Sequence, residues 1–367
     1  MEMVKSIVDK KICLLKLTTD GVDGGLKVAC NLLNELTSRY TCSFVGVMSE
    51  QEMPYFELDS SVKYDVLMRK KDKLTRIFFS ACRLFRKYVI ENEIDIVMSV
   101  GVSANAIMIT SCLGLGVKTI VCDHMNSKVN VFSKSIDIQR KYGAKLANKV
   151  VTLTKEDKLN YITKFNLKEN KVIDIHNWFE PYNVTGFPKN KKLVTVGRFD
   201  YQKGYDYLVQ VAKKVLAKRS DWTWEIYGSG NQDEVDKIRN LINENDLQDK
   251  LVIKGLEKNQ DLIYGDKGIY VMTSRYEGLP LVLLEAQQYN LPIVSFSCPT
   301  GPNEIVEDGV NGYLVECYDT DKLSEKLLEL MEDEVLRQSF SEHAKDNMGK
   351  FDKDKILKQW IELIETI

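Results

Sequence analysis

Histidine and proline are scarce in this sequence of 367 residues, and its cysteines follow no pairing pattern. Three histidines, at 124, 176 and 343, do not supply a His-rich metal site. Eight cysteines (13, 30, 42, 82, 112, 122, 298 and 317) include no Cys-x-x-Cys pair and mostly sit in apolar runs such as Ile12-Cys13-Leu14-Leu15. That is the setting of reduced core thiols, which argues against a disulfide framework or a zinc site and for a cytoplasmic chain. No stretch approaches the ~18 apolar residues of a spanning helix, and Met1-Glu2-Met3-Val4-Lys5 is not followed by the apolar run of a secretory signal. The expectation is a cytoplasmic protein, soluble or peripheral at the inner face of a membrane. With 44% hydrophobic and 28% charged residues, disordered and collagenous classes are excluded.

A net charge of −2 conceals an asymmetry: residues 1–180 hold 27 basic and 21 acidic side chains, residues 181–367 hold 24 and 32. Such halves suggest different tasks. Short apolar runs alternate with longer helical stretches throughout, which predicts βα units and parallel sheets. Strands are expected at 11–17, 43–48, 94–100, 117–122, 149–153 and 172–175, with helices near 26–39, 72–91, 104–114, 138–147 and 156–165. A second series follows, with strands at 193–197, 222–227, 251–254, 269–273, 292–296 and 313–315 and helices near 204–219, 233–245, 280–290 and 320–332; two more helices close the chain. Between the series, residues 180–188 carry two prolines and a glycine and break any periodicity. The prediction is α/β: two Rossmann-like doubly wound domains, 1–180 and 181–350, facing a central cleft, with a terminal helix at 351–367 packing back on the first. Ligands of such sheets bind outside the carboxyl ends of the strands.

Function is therefore sought in the strand-to-helix loops. Thr18-Thr19-Asp20-Gly21-Val22-Asp23-Gly24-Gly25 follows the first strand; Gly24 and Gly25 would let helix N-terminal amides approach an anion or a sugar, though the same residues read equally as a tight turn. In Val196-Gly197-Arg198-Phe199-Asp200-Tyr201-Gln202-Lys203-Gly204, two cations five residues apart flank a turn where a forked guanidinium and an ammonium can grip a diphosphate. The competing reading is a solvated charged turn. Tyr227-Gly228-Ser229-Gly230 and Lys254-Gly255-Leu256 follow further strands at the same edge. In Ser274-Arg275-Tyr276-Glu277-Gly278-Leu279-Pro280-Leu281-Val282-Leu283-Leu284-Glu285, Pro280 suits a first helical position, which sets the amides of Gly278, Leu279 and Leu281 at a phosphate-attracting helix N-terminus. Glu277 and Glu285 can bond different hydroxyls of one extended ligand; alternatively Glu277 caps the helix and Glu285 is a surface charge. Glu285 stands among Leu283, Leu284 and Ala286, so its carboxylate needs a partner.

These segments, with Asp308-Gly309-Val310-Asn311-Gly312-Tyr313-Leu314-Val315, resemble the family 4 retaining glycosyltransferases of the two-domain type called GT-B, over nearly the whole chain. The Glu277-x7-Glu285 spacing is the most specific element. The resemblance implies that Arg198 and Lys203 bind a donor diphosphate and that Glu285 holds the ribose hydroxyls. It further implies that Glu277, with Gly278, Leu279, Pro280 and Leu281, holds the donor sugar and distal phosphate, while Gly255 and Leu256 border the base. Gly24 and Gly25 match the family's glycine loop, and Asp123-His124-Met125-Asn126 puts His124 where the family has a histidine near the sugar. Ser297-Cys298-Pro299-Thr300-Gly301-Pro302-Asn303-Glu304-Ile305 is similar to a segment of members that build bacterial surface polysaccharides, such as capsule and lipopolysaccharide. The implied donor is a nucleotide sugar, a UDP-hexose, and the implied acceptor a glycan or polyprenyl-diphosphate-linked glycan taken by the first domain.

No Asp-x-Asp motif stands at a strand end, so a metal-independent reaction without a resident cofactor is expected; a cationic clamp and a helix N-terminus can stabilise the departing diphosphate. Catalytic roles would fall to Glu277, His124, Arg198 and Lys203. The sequence offers no evident nucleophilic carboxylate for double displacement, which favours a front-face route to retention. Two other readings stand beside this one: a nucleotide-sugar 2-epimerase, and a catalytically degenerate scaffold of a glycan-assembly complex.

Eight cations, Arg69, Lys70, Lys71, Lys73, Arg76, Arg83, Arg86 and Lys87, face one acid, Asp72. The basic excess of the first half is thereby assigned to one helix. Its apolar stripe of Leu74, Ile77, Phe78, Ala81, Phe85, Tyr88 and Val89 reads as a core face, with Phe79 off the stripe. The basic face is either solvated or a surface for anionic lipid or a lipid-diphosphate acceptor. Nucleic acid is not expected, because no aromatic stacking array or recognition motif accompanies the cations.

Overall fold

The structure, a computed structural model, describes residues 10–21, 24–128, 134–179, 184, 186, 187 and 189–367. Met1–Lys5, Val22 and Asp23 of the glycine loop, and most of the segment 180–188 lie outside the described residues. The chain divides into two compact units, Met1–Asn177 with Asp354–Ile367, and Trp178–Lys353.

The first unit holds seven strands: β1 (Lys11–Thr18), β2 (Thr41–Met48), β3 (Lys63–Met68), β4 (Ile96–Val100), β5 (Lys118–Asp123), β6 (Lys149–Thr152) and β7 (Val172–Asp174). They form one parallel sheet in the order β3-β2-β1-β4-β5-β6-β7. Helices cover both faces of such a sheet, which is why the interior strand β4 is buried at every position and is apolar except for Ser99. The helix Leu74–Glu91 buries Ile77, Ala81, Phe85, Tyr88 and Val89 against this sheet, with Leu74 and Phe78 half-buried. Phe79 points outward, 83% exposed. Lys353–Thr366, whose buried face is Ile356, Trp360, Leu363 and Ile364, meets the first unit through Lys10 Nζ, 2.9 Å from Ile364 O, and an Arg39–Glu365 ion pair.

The second unit holds β8 (Lys192–Val196), β9 (Thr223–Tyr227), β10 (Leu251–Gly255), β11 (Ile269–Met272), β12 (Ile293–Phe296) and β13 (Gly312–Val315), parallel in the order β10-β9-β8-β11-β12-β13. Its core is built on Trp222 and Trp224, both fully buried, and on the stripe Leu208, Val211, Ala212 and Val215 of the helix Tyr205–Lys218. The Trp224 indole is satisfied by Thr195 Oγ1 at 3.1 Å. In each sheet the order reverses once, between β1 and β4 and between β8 and β11. Loops leave such switch points in opposite directions and open a crevice at the carboxyl ends of the strands.

Three local expectations need correction. β3 was not foreseen: it is a half-buried edge strand, and Lys63 and Asp65 interrupt its apolar signal. The helix after β11 runs Leu281–Gln288, and Pro280, with ψ 95°, precedes it as the N-cap instead of filling its first position. Two short helices, Gln260–Tyr264 and Pro302–Ile305, had no periodicity long enough to read.

Candidate active site

The loops after β8 and β11 meet at the switch point of the second sheet. Beyond β8, Gly197 N bonds to Tyr227 O (3.0 Å) and Phe199 N to Ser229 O (2.8 Å), which lays the turn against the loop after β9. This approach demands glycine at 228: its φ is +153° and a Cβ there would stand 1.9 Å from Gly197 O. Tyr201–Lys203 form one 3-10 turn, whose N-cap Asp200 accepts from Lys203 N. Gly204 follows with φ +64°, and a Cβ there would stand 2.1 Å from Thr273 O.

The turn thus presents Lys203 to the β11 loop. Lys203 Nζ lies 2.8 Å from Glu277 Oε1, with side chains only 14% and 7% exposed. Gln202 Nε2 donates to Tyr276 O (3.0 Å) and to Glu277 Oε2 (3.3 Å), so both carboxylate oxygens are held. Thr300, after β12, donates to Glu277 O at 2.6 Å. Glu277 is therefore not a helix cap but one pole of a nearly buried ion pair. Arg198 is 55% exposed and lies 3.2 Å from Asp200 Oδ2, a pairing loose enough to exchange for a ligand. Leu281 opens the next helix, so its amide and that of Val282 have no intrahelical carbonyl.

Glu285, one turn into that helix, is half-buried and accepts from Tyr264 Oη at 2.9 Å. Tyr264 is fully buried and packs on Tyr289, whose hydroxyl bonds to Asp261. This supplies the partner that a carboxylate among leucines needs. Gly255, at the end of β10, accepts from Gly228 N (2.9 Å), and Leu256 beside it is 54% exposed. Arg198, Lys203, Gly255, Leu256, Glu277, Gly278, Leu279, Pro280, Leu281 and Glu285 thus all belong to strand ends, or to the loops and helices that follow them, at the carboxyl edge of one sheet. Gln202 and Tyr264 were missed; neither stands in a pattern, and only the fold shows which carboxylates they hold.

Gly24, Gly25 and His124 belong to the first unit. Gly24 begins the helix Gly24–Leu36 after the β1 loop. In that loop Asp20 is tied to the Ser49 hydroxyl, to Glu50 N (3.2 Å) and to Lys71 Nζ (2.8 Å). Burial works against the charge there, but Lys71 and these hydrogen bonds hold the Asp20 carboxyl down at about 2. His124 is half-buried at the end of β5, on a loop anchored from beneath. Arg140 Nε donates to Asp123 Oδ2 (2.8 Å) and Arg140 Nη2 to Asn126 O (3.1 Å), and the Tyr161 hydroxyl also donates to Asp123. Asp157 Oδ1 accepts from Ser127 N (3.0 Å) and Ser127 Oγ (2.6 Å). Burial, reinforced by Asp123, pushes the Asp157 carboxyl up to about 6.

The eight cations do not form one helical face. The helix begins at Leu74, so Arg69, Lys70 and Lys71 lie in the turn after β3, and Lys73 is the N-cap. Much of their charge is also engaged: Lys71 by Asp20 and Glu50, Arg76 by Asp72, Lys87 by Glu91, Arg69 by Gln51 O and Arg86 by Ser111 O and Leu113 O. Lys70, Lys73 and Arg83 make no such pair among the described residues. A shallow groove of about 540 Å³ lies between Arg83, Arg86, Lys87 and Ile90 on this helix and Thr110 and Ser111 on the next.

Two parallel doubly wound sheets, the second with cations and carboxylates at its switch point, are the architecture of the GT-B glycosyltransferases, and the chain is a glycosyltransferase of that fold. More particularly, residues 181–347 match the family model of the glycosyl transferases group 1. The chain is 29% identical to the amylovoran biosynthesis glycosyltransferase AmsD of Erwinia amylovora over 95% of its own length and 99% of that protein. A crystal structure of an S. aureus TarM mutant in complex with Fondaparinux, alpha-GlcNAc-glycerol and UDP is 26% identical, with a TM-score of 0.71, covering 77% of this chain and 58% of that one. Anabaena HepE in complex with UDP and glucose shares the fold at 16% identity and a TM-score of 0.82, covering 98% and 100% of the two chains.

Proposed function

We propose that the chain is a retaining, metal-independent hexosyltransferase that moves a hexose from a UDP-sugar to a glycan or polyprenyl-diphosphate-linked glycan in bacterial surface polysaccharide assembly. The observation that carries this reading is the Lys203–Glu277 pair, 2.8 Å apart at the switch point and flanked by Arg198 and a helix N-terminus. An arriving diphosphate exchanges with Glu277 for Lys203 and with Asp200 for Arg198. The released Glu277 carboxylate, still steadied by Gln202, then accepts from the sugar hydroxyls. Glu285, oriented by Tyr264, takes the ribose hydroxyls, and Gly255 and Leu256 border the base. As the sugar–phosphate bond breaks, charge grows on the diphosphate, and Arg198, Lys203 and the helix amides stabilise it.

The leaving phosphate oxygen accepts the acceptor's proton on the same face, so the anomeric configuration is retained. The UDP and the α-linked GlcNAc-glycerol held by the TarM mutant support a uridine donor and an α-linkage. Thermal-shift screening against nucleotide sugars, followed by product NMR in chelator, tests the reading: UDP-sugars stabilise and the α-anomer forms. A trapped glycosyl ester on any Asp or Glu would overturn the front-face route, and C2 epimerisation without transfer would favour the epimerase.

A second reading concerns location. Ile90 lines the groove beside Arg83 and Lys87, Phe79 stands one turn before Arg83 on the same helix, and Leu113 accepts from Arg86 through its carbonyl; the three are respectively 55%, 83% and 55% exposed. Apolar side chains among cations suit peripheral attachment to anionic lipid, each cation contributing about 1 kcal/mol. Flotation with phosphatidylglycerol vesicles should be lost in F79S/R83E; retention by neutral vesicles at high salt argues against it.

A further inference from the structure

We infer that Arg275 is a positioning residue that locks the two halves of the proposed donor diphosphate cradle together; the inference rests on the donor-site reading above. Arg275 lies two residues before Glu277 on the β11 loop, and its side chain is 8% exposed. The guanidinium is directed at the other half of the cradle. Its carbon lies 3.9 Å from the ring centre of Tyr201 and 4.5 Å from that of Tyr207. Nη1 donates to Tyr201 O at 2.7 Å, Nη2 to Asp206 Oδ2 at 2.6 Å, and the Arg275 amide to Gln202 O at 2.8 Å. One side chain therefore grips the 3-10 turn Tyr201–Lys203 by its first carbonyl and the helix after it by its second residue.

That grip, together with the Gln202–Tyr276 and Phe199–Ser229 bonds, sets where the turn stands in the cradle. Lys203 and Gln202, which reach Glu277, are the next residues of the same turn, and Arg198 precedes it by three. Neither Tyr201 O nor Asp206 is a ligand-facing group in this reading, so Arg275 touches no reacting atom and acts through Lys203 and Gln202. The fork is needed because two acceptors on different elements must be met at once from between two rings; an ammonium offers a single point charge.

Angstrom-scale misplacement of a clamp lowers turnover by about ten- to hundredfold. The test uses the full chain with UDP as probe, by calorimetric titration, and initial rates of UDP release from a UDP-hexose. R275Q and R275K should both weaken UDP binding and lower kcat/KM by about tenfold or more. In a K203M background the same R275Q change should cost clearly less than in the unaltered protein, because only Gln202 of the two groups it acts through remains. D206N, which preserves shape while removing the charge that Nη2 meets, gives a milder loss of the same sign and serves if R275Q does not fold. Wild-type UDP affinity in R275Q or D206N, or an R275Q penalty just as large in K203M, would overturn the inference alone. Absence of nucleoside diphosphate binding by the unaltered protein would overturn the donor-site reading, and the inference with it.

Discussion

Replacing Lys203 by Met separates what the Lys203–Glu277 pair does for folding from what Lys203 does for transfer. At 2.8 Å the gross attraction at an effective dielectric near 20 is about 6 kcal/mol, against which the desolvation of both groups must be set. Removing one partner leaves Glu277 charged and almost buried with Gln202 as its remaining side-chain donor. For fully buried pairs that loss is about 3–5 kcal/mol, and the 14% exposure of Lys203 puts it at the lower end, about 3 kcal/mol. For a unit of this size such a loss lowers Tm by about 6–12 °C. K203M/E277Q removes both charges and should recover most of that stability, since no unpaired charge remains. Activity should not recover: losing one preorganised donor to developing charge lowers turnover by about 10²–10³-fold, and the double variant has also lost the carboxylate proposed to bind the sugar. Differential scanning calorimetry and initial rates on wild type, both single variants and the double variant close the cycle. An unchanged Tm in K203M, or a double variant as unstable as the single, would refute the pairing; near-normal turnover in K203M would refute the clamp.

Three further outcomes follow from individual contacts. Y264F removes the hydroxyl donor of Glu285 and should raise KM for the donor about tenfold with little change in kcat, corresponding to about 1.5 kcal/mol for a hydrogen bond to a charged group; a kcat effect alone would contradict the ribose assignment. Asp157 has its carboxyl raised to about 6, so the folded state holds a proton that the unfolded state releases near 4; stability should therefore fall as pH rises from about 4 to 6, by up to about 3 kcal/mol, and D157N should flatten that slope in denaturant titrations. G228A should not yield folded protein, because its Cβ meets Gly197 O, whereas G24A should fold normally, since no described residue comes within 4 Å of a Cβ at Gly24; equal solubility of the two would refute the tight-loop argument.

The fold was legible wherever burial on both faces of a sheet turned strands into apolar runs. β4 and β12 are such runs, each interrupted only by one serine, and their bounds lie within two residues of the expected ones. β3 escaped because an edge strand can keep Lys63 and Asp65 at its surface and so loses its signal, and that omission carried Arg69, Lys70 and Lys71 into a helix that in fact starts at Leu74. The site was legible as spacing but not as pairing. The order of Arg198, Lys203, Glu277 and Glu285 can be read along the chain; that Lys203 and Glu277 neutralise one another, or that Tyr264 supports Glu285, depends on which loops the β8–β11 adjacency brings together.

That neutralisation alters the meaning of the charge asymmetry. Residues 181–367 carry eight more acids than bases, an unfavourable field for a diphosphate. Two cations in open solution would recover little of it, and in the resting site both are already engaged, Lys203 by Glu277 and Arg198 by Asp200. In the proposed donor site the positive field a diphosphate needs is created by the exchange itself: a phosphate oxygen that takes Lys203 from Glu277 frees a carboxylate oxygen that a sugar hydroxyl can then satisfy, while Gln202 still holds the other. A free diphosphate leaves Glu277 near a second anion, whereas a sugar diphosphate supplies hydroxyl donors at that spot. Inorganic diphosphate should accordingly bind more weakly than UDP-hexose by more than the lost base contacts explain, and E277Q should narrow that gap.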